Sequence, residues 1–121
     1  MKYISIDGDD VGQKITSSYL RNDLSELSAI NEMVNKKTKL IADFLRNQGF
    51  IIIFCAADGV AAYQQDNSSE DNFIFDSIAS IAGKEMSFSI GVGSNLRESY
   101  IALLLAKSKG KARLCNFSVL N

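Results

Sequence analysis

The chain of 121 residues predicts an α+β fold, a mainly antiparallel sheet with helices packed on one face, in the order β-α-α-β-β-α-β-α-β. Three observations lead there. Residues 2–7 alternate apolar and polar side chains and run directly into helical periodicity. The apolar run Phe50–Cys55 is followed by a turn signature, Asp58-Gly59, and a second extended segment, which makes an antiparallel hairpin. Two later strand-like segments each follow a helical stretch.

In the first segment Ile4 and Ile6 share one face and Tyr3, Ser5 and Asp7 the other, the two-residue period of a half-buried strand with Asp7 at its end. Val11–Leu20 reads as a short helix. Asp23 with Glu26 resembles a capping box that opens a longer one. Its apolar positions Leu24, Leu27, Ile30, Val34, Ile41, Phe44 and Leu45 recur mostly at three- and four-residue steps, leaving Lys36, Lys37, Lys39 and Arg46 in water, and Gly49 stops it. Phe50–Cys55 is unbroken apolar sequence rich in β-branched residues, the pattern of a strand covered on both faces, so it is placed at the sheet centre. After the interruption Ala56-Ala57-Asp58-Gly59, Val60–Gln64 returns as its hairpin partner. Residues 65–70 are polar loop, and Phe73, Ile74, Ile78 and Ile81 mark a third helix over 71–82. Met86–Val92 is a strand ending at Gly91 and Gly93, Ser94 caps a fourth helix over about 96–107, Lys109-Gly110-Lys111 closes it, and Leu114–Val119 is the last strand.

Composition bounds the chemistry. A 46% hydrophobic chain of this length supports one core, so residues 1–121 are expected to be a single domain. The 13 basic and 14 acidic residues give a net charge of −1, which builds in no general attraction to nucleic acid or membrane. With no basic-plus-apolar leader and no apolar run of about 20 residues, the chain is expected to be soluble and cytoplasmic. Cys55 and Cys115 both sit in apolar segments and are expected as reduced thiols. Histidine is absent, which removes imidazole bases and the Ser-His and Cys-His nucleophile pairs. The remaining tools are carboxylates, lysines, backbone dipoles and bound metal.

Two acidic turns stand out. Asp7 ends the first strand and Asp58 lies at the hairpin tip, and in a split β-α-β sheet their strands are neighbours. Two adjacent carboxylates repel unless a proton or a cation lies between them, and Mg²⁺, which takes oxygen ligands and keeps several waters, suits such a pair beside a triphosphate. Asp10-Val11-Gly12 then leads into a helix whose first amides and aligned peptide dipoles favour phosphate. Lys107 and Lys111 lie four residues apart near a helix end, placed to neutralise terminal phosphates. Each feature alone also fits ordinary turn chemistry or a solvated face; the topology directs all of them to one cleft.

These segments resemble the palm domain of nucleotide cyclases, a ferredoxin-like fold shared by GGDEF diguanylate cyclases and the polymerase-cyclase subunit of type III CRISPR complexes. "IDGDDVG" resembles the first metal motif, "CAADGVAAY" the GGDEF or GGDD hairpin, "FSIGVG" the strand after it, and "ALLLAKSKGKARL" the phosphate-binding helix end. The best match is the stand-alone minimal CRISPR polymerase group, mCpol. The resemblance implies Asp7 and Asp58 as catalytic metal ligands, with the Gly8 carbonyl as a further ligand and Mg²⁺ or Mn²⁺ as cofactor. It also implies a phosphate cradle from Asp10, Val11 and Gly12, nucleotide contact at Ala57, and Lys107 and Lys111 on the phosphates. The implied reaction is attack of a ribose hydroxyl on an α-phosphate with loss of pyrophosphate, giving a cyclic dinucleotide from two chains facing each other as a homodimer. The implied product is an antiphage signal read by a separate effector, without direct nucleic acid binding.

The sequence departs from that pattern in three places. Ala56 and Ala57 replace the paired glycines, Gly59 replaces an acid that would serve a second metal, with Asp9 or Asp10 as possible substitutes, and apolar Ile15 stands where diguanylate cyclases carry a guanine-reading Asn. The last change favours ATP as substrate. The rival readings are a degenerate palm that binds a nucleotide as sensor or scaffold, and a haloacid-dehalogenase-type phosphatase in which Asp7 would be the nucleophile and Asp9 the acid.

Overall fold

A computed structural model of the chain describes residues 1–119. Strands β1 (Lys2–Gly8), β2 (Ile51–Ala56), β3 (Gly59–Gln64), β4 (Phe88–Gly93) and β5 (Leu114–Asn116) form one sheet in the order β2-β3-β1-β4-β5. Every pair is antiparallel except β4 with β5, which run parallel. The helices are α1 (Val11–Leu20), α2 (Leu24–Asn47), α3 (Asp71–Ala82) and α4 (Leu96–Ser108). The α+β fold with a mainly antiparallel sheet therefore forms as the pattern predicts. Asp23 caps α2 by accepting from the Glu26 amide at 3.0 Å.

The helices divide between the two faces instead of sharing one. α1, α2 and α3 enclose a core with Ile4, Ile6, Val60, Ala62, Ile90 and Val92 from the sheet. α4 lies on the opposite face, against β4, β1 and β5. It fits because the residues beneath it are small. A Cβ added to Gly91 would stand 2.1 Å from the Ser99 carbonyl oxygen, and one on Gly93 would stand 2.7 Å from the Ser99 amide nitrogen. The buried hydroxyls of Ser5 and Ser99, 2.9 Å apart, join β1 to α4 at this contact. Gly91 and Gly93, which read in sequence as the end of a strand, are the seat of a helix.

Phe50–Cys55 also differs from its expected place. It is the edge strand, with Ile51, Ile53 and Phe54 at 51%, 44% and 53% exposure. A register shift between Ile52 and Phe54 turns Ile52 and Cys55 toward the core and leaves Ile53 and Phe54 outside. An unbroken apolar run fits both a doubly covered strand and a bulged edge. The centre goes to β1, whose outward Ser5 and Asp7 leave room for α4. Element boundaries also move, β2 beginning at Ile51 rather than Phe50 and β4 at Phe88 rather than Met86. The hairpin tightens to Ala57-Asp58 between β2 and β3, and Asn95, not Ser94, caps α4 by accepting from the Glu98 amide at 2.8 Å. The last strand stops at Asn116 and passes into a 3₁₀ turn, Phe117–Val119. Cys55, half-buried, and Cys115, buried, are both free thiols. No helix among the described residues is long and apolar enough to cross a membrane.

Candidate active site

Asp7 and Asp58 meet on the α4 side of the sheet. Asp7 pairs in register with Gly59, the residue after Asp58, and the Gly8 amide donates to the Asp58 carbonyl at 2.9 Å. Close approach depends on glycine here, since a Cβ at Gly8 would lie 3.0 Å from Val11 Cγ2 and 3.1 Å from Asp58 Cβ. Both carboxylates line one cavity of about 530 Å³ whose other walls include Phe54, Ala61, Tyr100, Leu103, Leu104 and Lys107. Its lining thus combines two acids and a lysine with apolar and aromatic side chains.

The carboxyl of Asp7 is raised above its ordinary range, first by burial and then by the charge of Asp58, with Lys107 opposing both. Two acids that resist sharing a site are the donor set a hard cation relieves. The positive charge beside Asp7 is that of Lys107. Its ammonium donates to the Gly8 carbonyl at 2.9 Å and lies 3.2 Å from Asp7 Oδ2 and 2.7 Å from Asp9 Oδ1. The donor set of Asp7, Asp58 and the Gly8 carbonyl thus fits Mg²⁺ or Mn²⁺, which needs few protein ligands. Among the described residues no cluster of three or more His, Cys, Asp or Glu side chains gathers to hold a metal.

Asp9 is not a substitute ligand. It is 3% exposed and accepts from Ser87 Oγ at 2.6 Å, Ser89 Oγ at 2.7 Å, the Ala112 amide at 3.0 Å and Lys107 at 2.7 Å. Burial works to raise its pKa, and these bonds outweigh burial and hold it below the ordinary range. Named from the sequence as a substitute metal ligand or a phosphatase acid, Asp9 is instead the buried hub joining the β1–α1 turn, β4 and the loop after α4. Nothing local marks it. Its partners come from 78 to 103 residues away. This burial also removes the phosphatase reading, which needs an open second acid.

The residues expected to cradle phosphate lie at the start of α1, in the turn that follows β1. Asp10 takes a left-handed conformation, φ 62°, and α1 begins behind it with no side-chain cap. The first amides of a helix have no intrahelical partner, so those of Val11 and Gly12 remain for a ligand. Gly12 has open space where a Cβ would stand. Lys111 forms an ion pair with Asp10. Backbone strain concentrates in these loops. Of five non-glycine residues with positive φ among those described, Asp10, Ala57, Lys111 and Ala112 all surround this site, where strain held by the fold accompanies preorganisation. Ile15 is packed against the core.

The family model described as the minimal CRISPR polymerase domain, mCpol, matches residues 3–117. No curated protein matches the chain. Among solved structures, a GGDEF domain from Pseudomonas aeruginosa is similar with a TM-score of 0.66 at 16% identity, covering 95% of this chain and 75% of that one. An EAL/GGDEF domain protein from M. capsulatus is similar with a TM-score of 0.67 at 18% identity, covering 96% and 83%. At these identities the likeness is one of fold.

Proposed function

As the chain belongs to the minimal CRISPR polymerase domain family and has the palm fold of nucleotide cyclases, we propose that it joins nucleoside triphosphates into a cyclic oligonucleotide. The product in this reading is a cyclic dinucleotide containing adenylate. The observation that carries it is the convergence of Asp7 and Asp58 on one cavity beside Lys107.

A ribose hydroxyl attacks the α-phosphorus of a bound triphosphate, the bond to the β-phosphate oxygen breaks, and pyrophosphate leaves. Asp7, Asp58 and the Gly8 carbonyl would hold Mg²⁺ or Mn²⁺, which would supply charge stabilisation to the reacting phosphate oxygens. The amides of Asp10, Val11 and Gly12 orient the phosphates at the start of α1. Lys107 and Lys111 offset the charge on the leaving group. Ala57 borders the nucleotide at the hairpin. Phe54, Tyr100, Leu103 and Leu104 offer an apolar and aromatic wall to the base. With Ile15 committed to the core, no amide side chain stands there to read guanine, which supports ATP. One chain carries one such site, and closing a ring from two nucleotides requires two, so the working unit is a homodimer with its sites face to face. The product serves as an antiphage signal to a separate effector, and the chain itself binds no nucleic acid.

The test is incubation with each labelled triphosphate and Mg²⁺ or Mn²⁺, following pyrophosphate and cyclic product. Product that disappears in both Asp7→Ala and Asp58→Ala, with folding verified by circular dichroism, supports the enzyme. Nucleotide binding without product supports a sensor instead, a reading favoured by Gly59 in place of an acid and by the burial of Asp9.

A further inference from the structure

Lys107 stands where the proposed metal would stand. Its ammonium reaches the Gly8 carbonyl at 2.9 Å and Asp7 Oδ2 at 3.2 Å, and lies 3.4 Å from the Asp7 carbonyl oxygen. Two of the three proposed metal ligands are therefore already engaged by a positive charge. A divalent ion on the same oxygens would face that charge at close range in a half-buried site, where repulsion is poorly screened. The second basic residue is engaged in the same way, Lys111 on Asp10. Both lysines suited to phosphate are thus held by acids of the turn into which the phosphates would fit.

We propose that Lys107 is the resting cation of this site, and that a triphosphate must draw it away from Asp7 and Gly8 before a divalent metal binds there. Asp9 makes the exchange a pivot rather than an escape. Three other donors fix its carboxylate, so it keeps hold of Lys107 at 2.7 Å while the ammonium turns from the Gly8 carbonyl toward phosphate oxygens. The consequence is ordered loading. Metal alone binds poorly, nucleotide and metal bind cooperatively, and the empty site does not accumulate cations. The inference rests on the proposed metal site and concerns how that site is regulated.

The experiment measures Mn²⁺ binding to the full chain by electron paramagnetic resonance, with no nucleotide present, so turnover plays no part. Lys107→Met removes the competing charge and is expected to bind Mn²⁺ roughly tenfold tighter than wild type. Lys107→Gln, which keeps a polar donor on a shorter stem, is a second neutral variant in case Lys107→Met fails to fold and is expected to show the same gain. Adding Asp7→Asn to either variant should abolish it. Equal or weaker binding by folded Lys107→Met and Lys107→Gln overturns the proposal even if the protein makes product. A gain that survives Asp7→Asn places the ion elsewhere and overturns the proposal together with the metal site on which it rests.

Discussion

Lys107 donates to Asp9 Oδ1 at 2.7 Å across 98 residues of chain. This bond joins the end of the helix seated on glycine to the turn that follows the central strand. It sets Lys107 beside Asp7, and its carboxylate partner also anchors the loop carrying Lys111 through the Ala112 amide. The stability of the fold and the geometry of the candidate site therefore share one buried carboxylate.

Asp9→Asn keeps the shape of that hub, removes its charge and turns one accepting oxygen into an amide donor, so the half-buried ammonium of Lys107 loses its counter-charge and one pair of donors loses its acceptor. The expected loss is about 3 kcal/mol, the scale for breaking a buried pair, measured by urea denaturation. The pH dependence follows from the lowered carboxyl of Asp9. A carboxyl lowered by folding contributes stability that is present above its unfolded value, near 4, and lost as pH falls through its folded value. Wild type should lose stability across that acid window more steeply than Asp9→Asn; parallel curves would contradict the role given to Asp9.

Asp7 has the opposite sign. Its carboxyl is raised by burial and by Asp58, so ionising it opposes folding. That penalty is absent below the unfolded value and complete once pH exceeds the folded one. Asp7→Asn should melt at a higher temperature than wild type at pH 7 without metal, and the difference should fade below about pH 4. Mg²⁺ with a nonhydrolysable triphosphate should narrow the gap by stabilising wild type alone. A variant that melts lower at neutral pH would mean that the Lys107 pair outweighs burial and Asp58.

Two glycines should respond oppositely to one methyl group. Gly91→Ala drives a Cβ into the α4 backbone and should cost about 3 kcal/mol or more, beyond ordinary overpacking because backbone must move. It should also weaken triphosphate binding by displacing the helix that carries Lys107. Gly12→Ala meets nothing within 4 Å and should gain about 0.5 kcal/mol from helix propensity. Chemical denaturation of the pair checks both signs.

Ala57 occupies the left-handed region at φ 50°, which costs a residue with a Cβ about 1 kcal/mol or more. Ala57→Gly should raise the melting temperature slightly, the relief of strain exceeding the added freedom of the unfolded chain. It also removes a methyl from the hairpin beside Asp58. Tighter triphosphate binding in that variant, read by calorimetry, would identify the methyl as an obstacle to the nucleotide; unchanged affinity would place the nucleotide away from Ala57.

Local chemistry fixed the elements of this protein. Two-residue alternation in Lys2–Asp7, helical spacing from Leu24 to Leu45, the Asp23 cap and the hairpin around Asp58 act between neighbours, so each is legible in a linear string. The meeting of Asp7 with Asp58 was legible too, because a hairpin beside the first strand has few ways to pair. What a string does not carry is which face a helix chooses and what lies under it. Gly91 and Gly93 look like a strand ending until α4 sits on them, and Phe50–Cys55 looks like a sheet centre until a bulge makes it an edge. Asp9 looks like one more solvated acid until Ser87, Ser89, Lys107 and Ala112 close around it. Elements arise from interactions a few residues long. Burial, register against other strands and the choice of ionic partner arise from contacts of long sequence separation, and only the folded chain decides those.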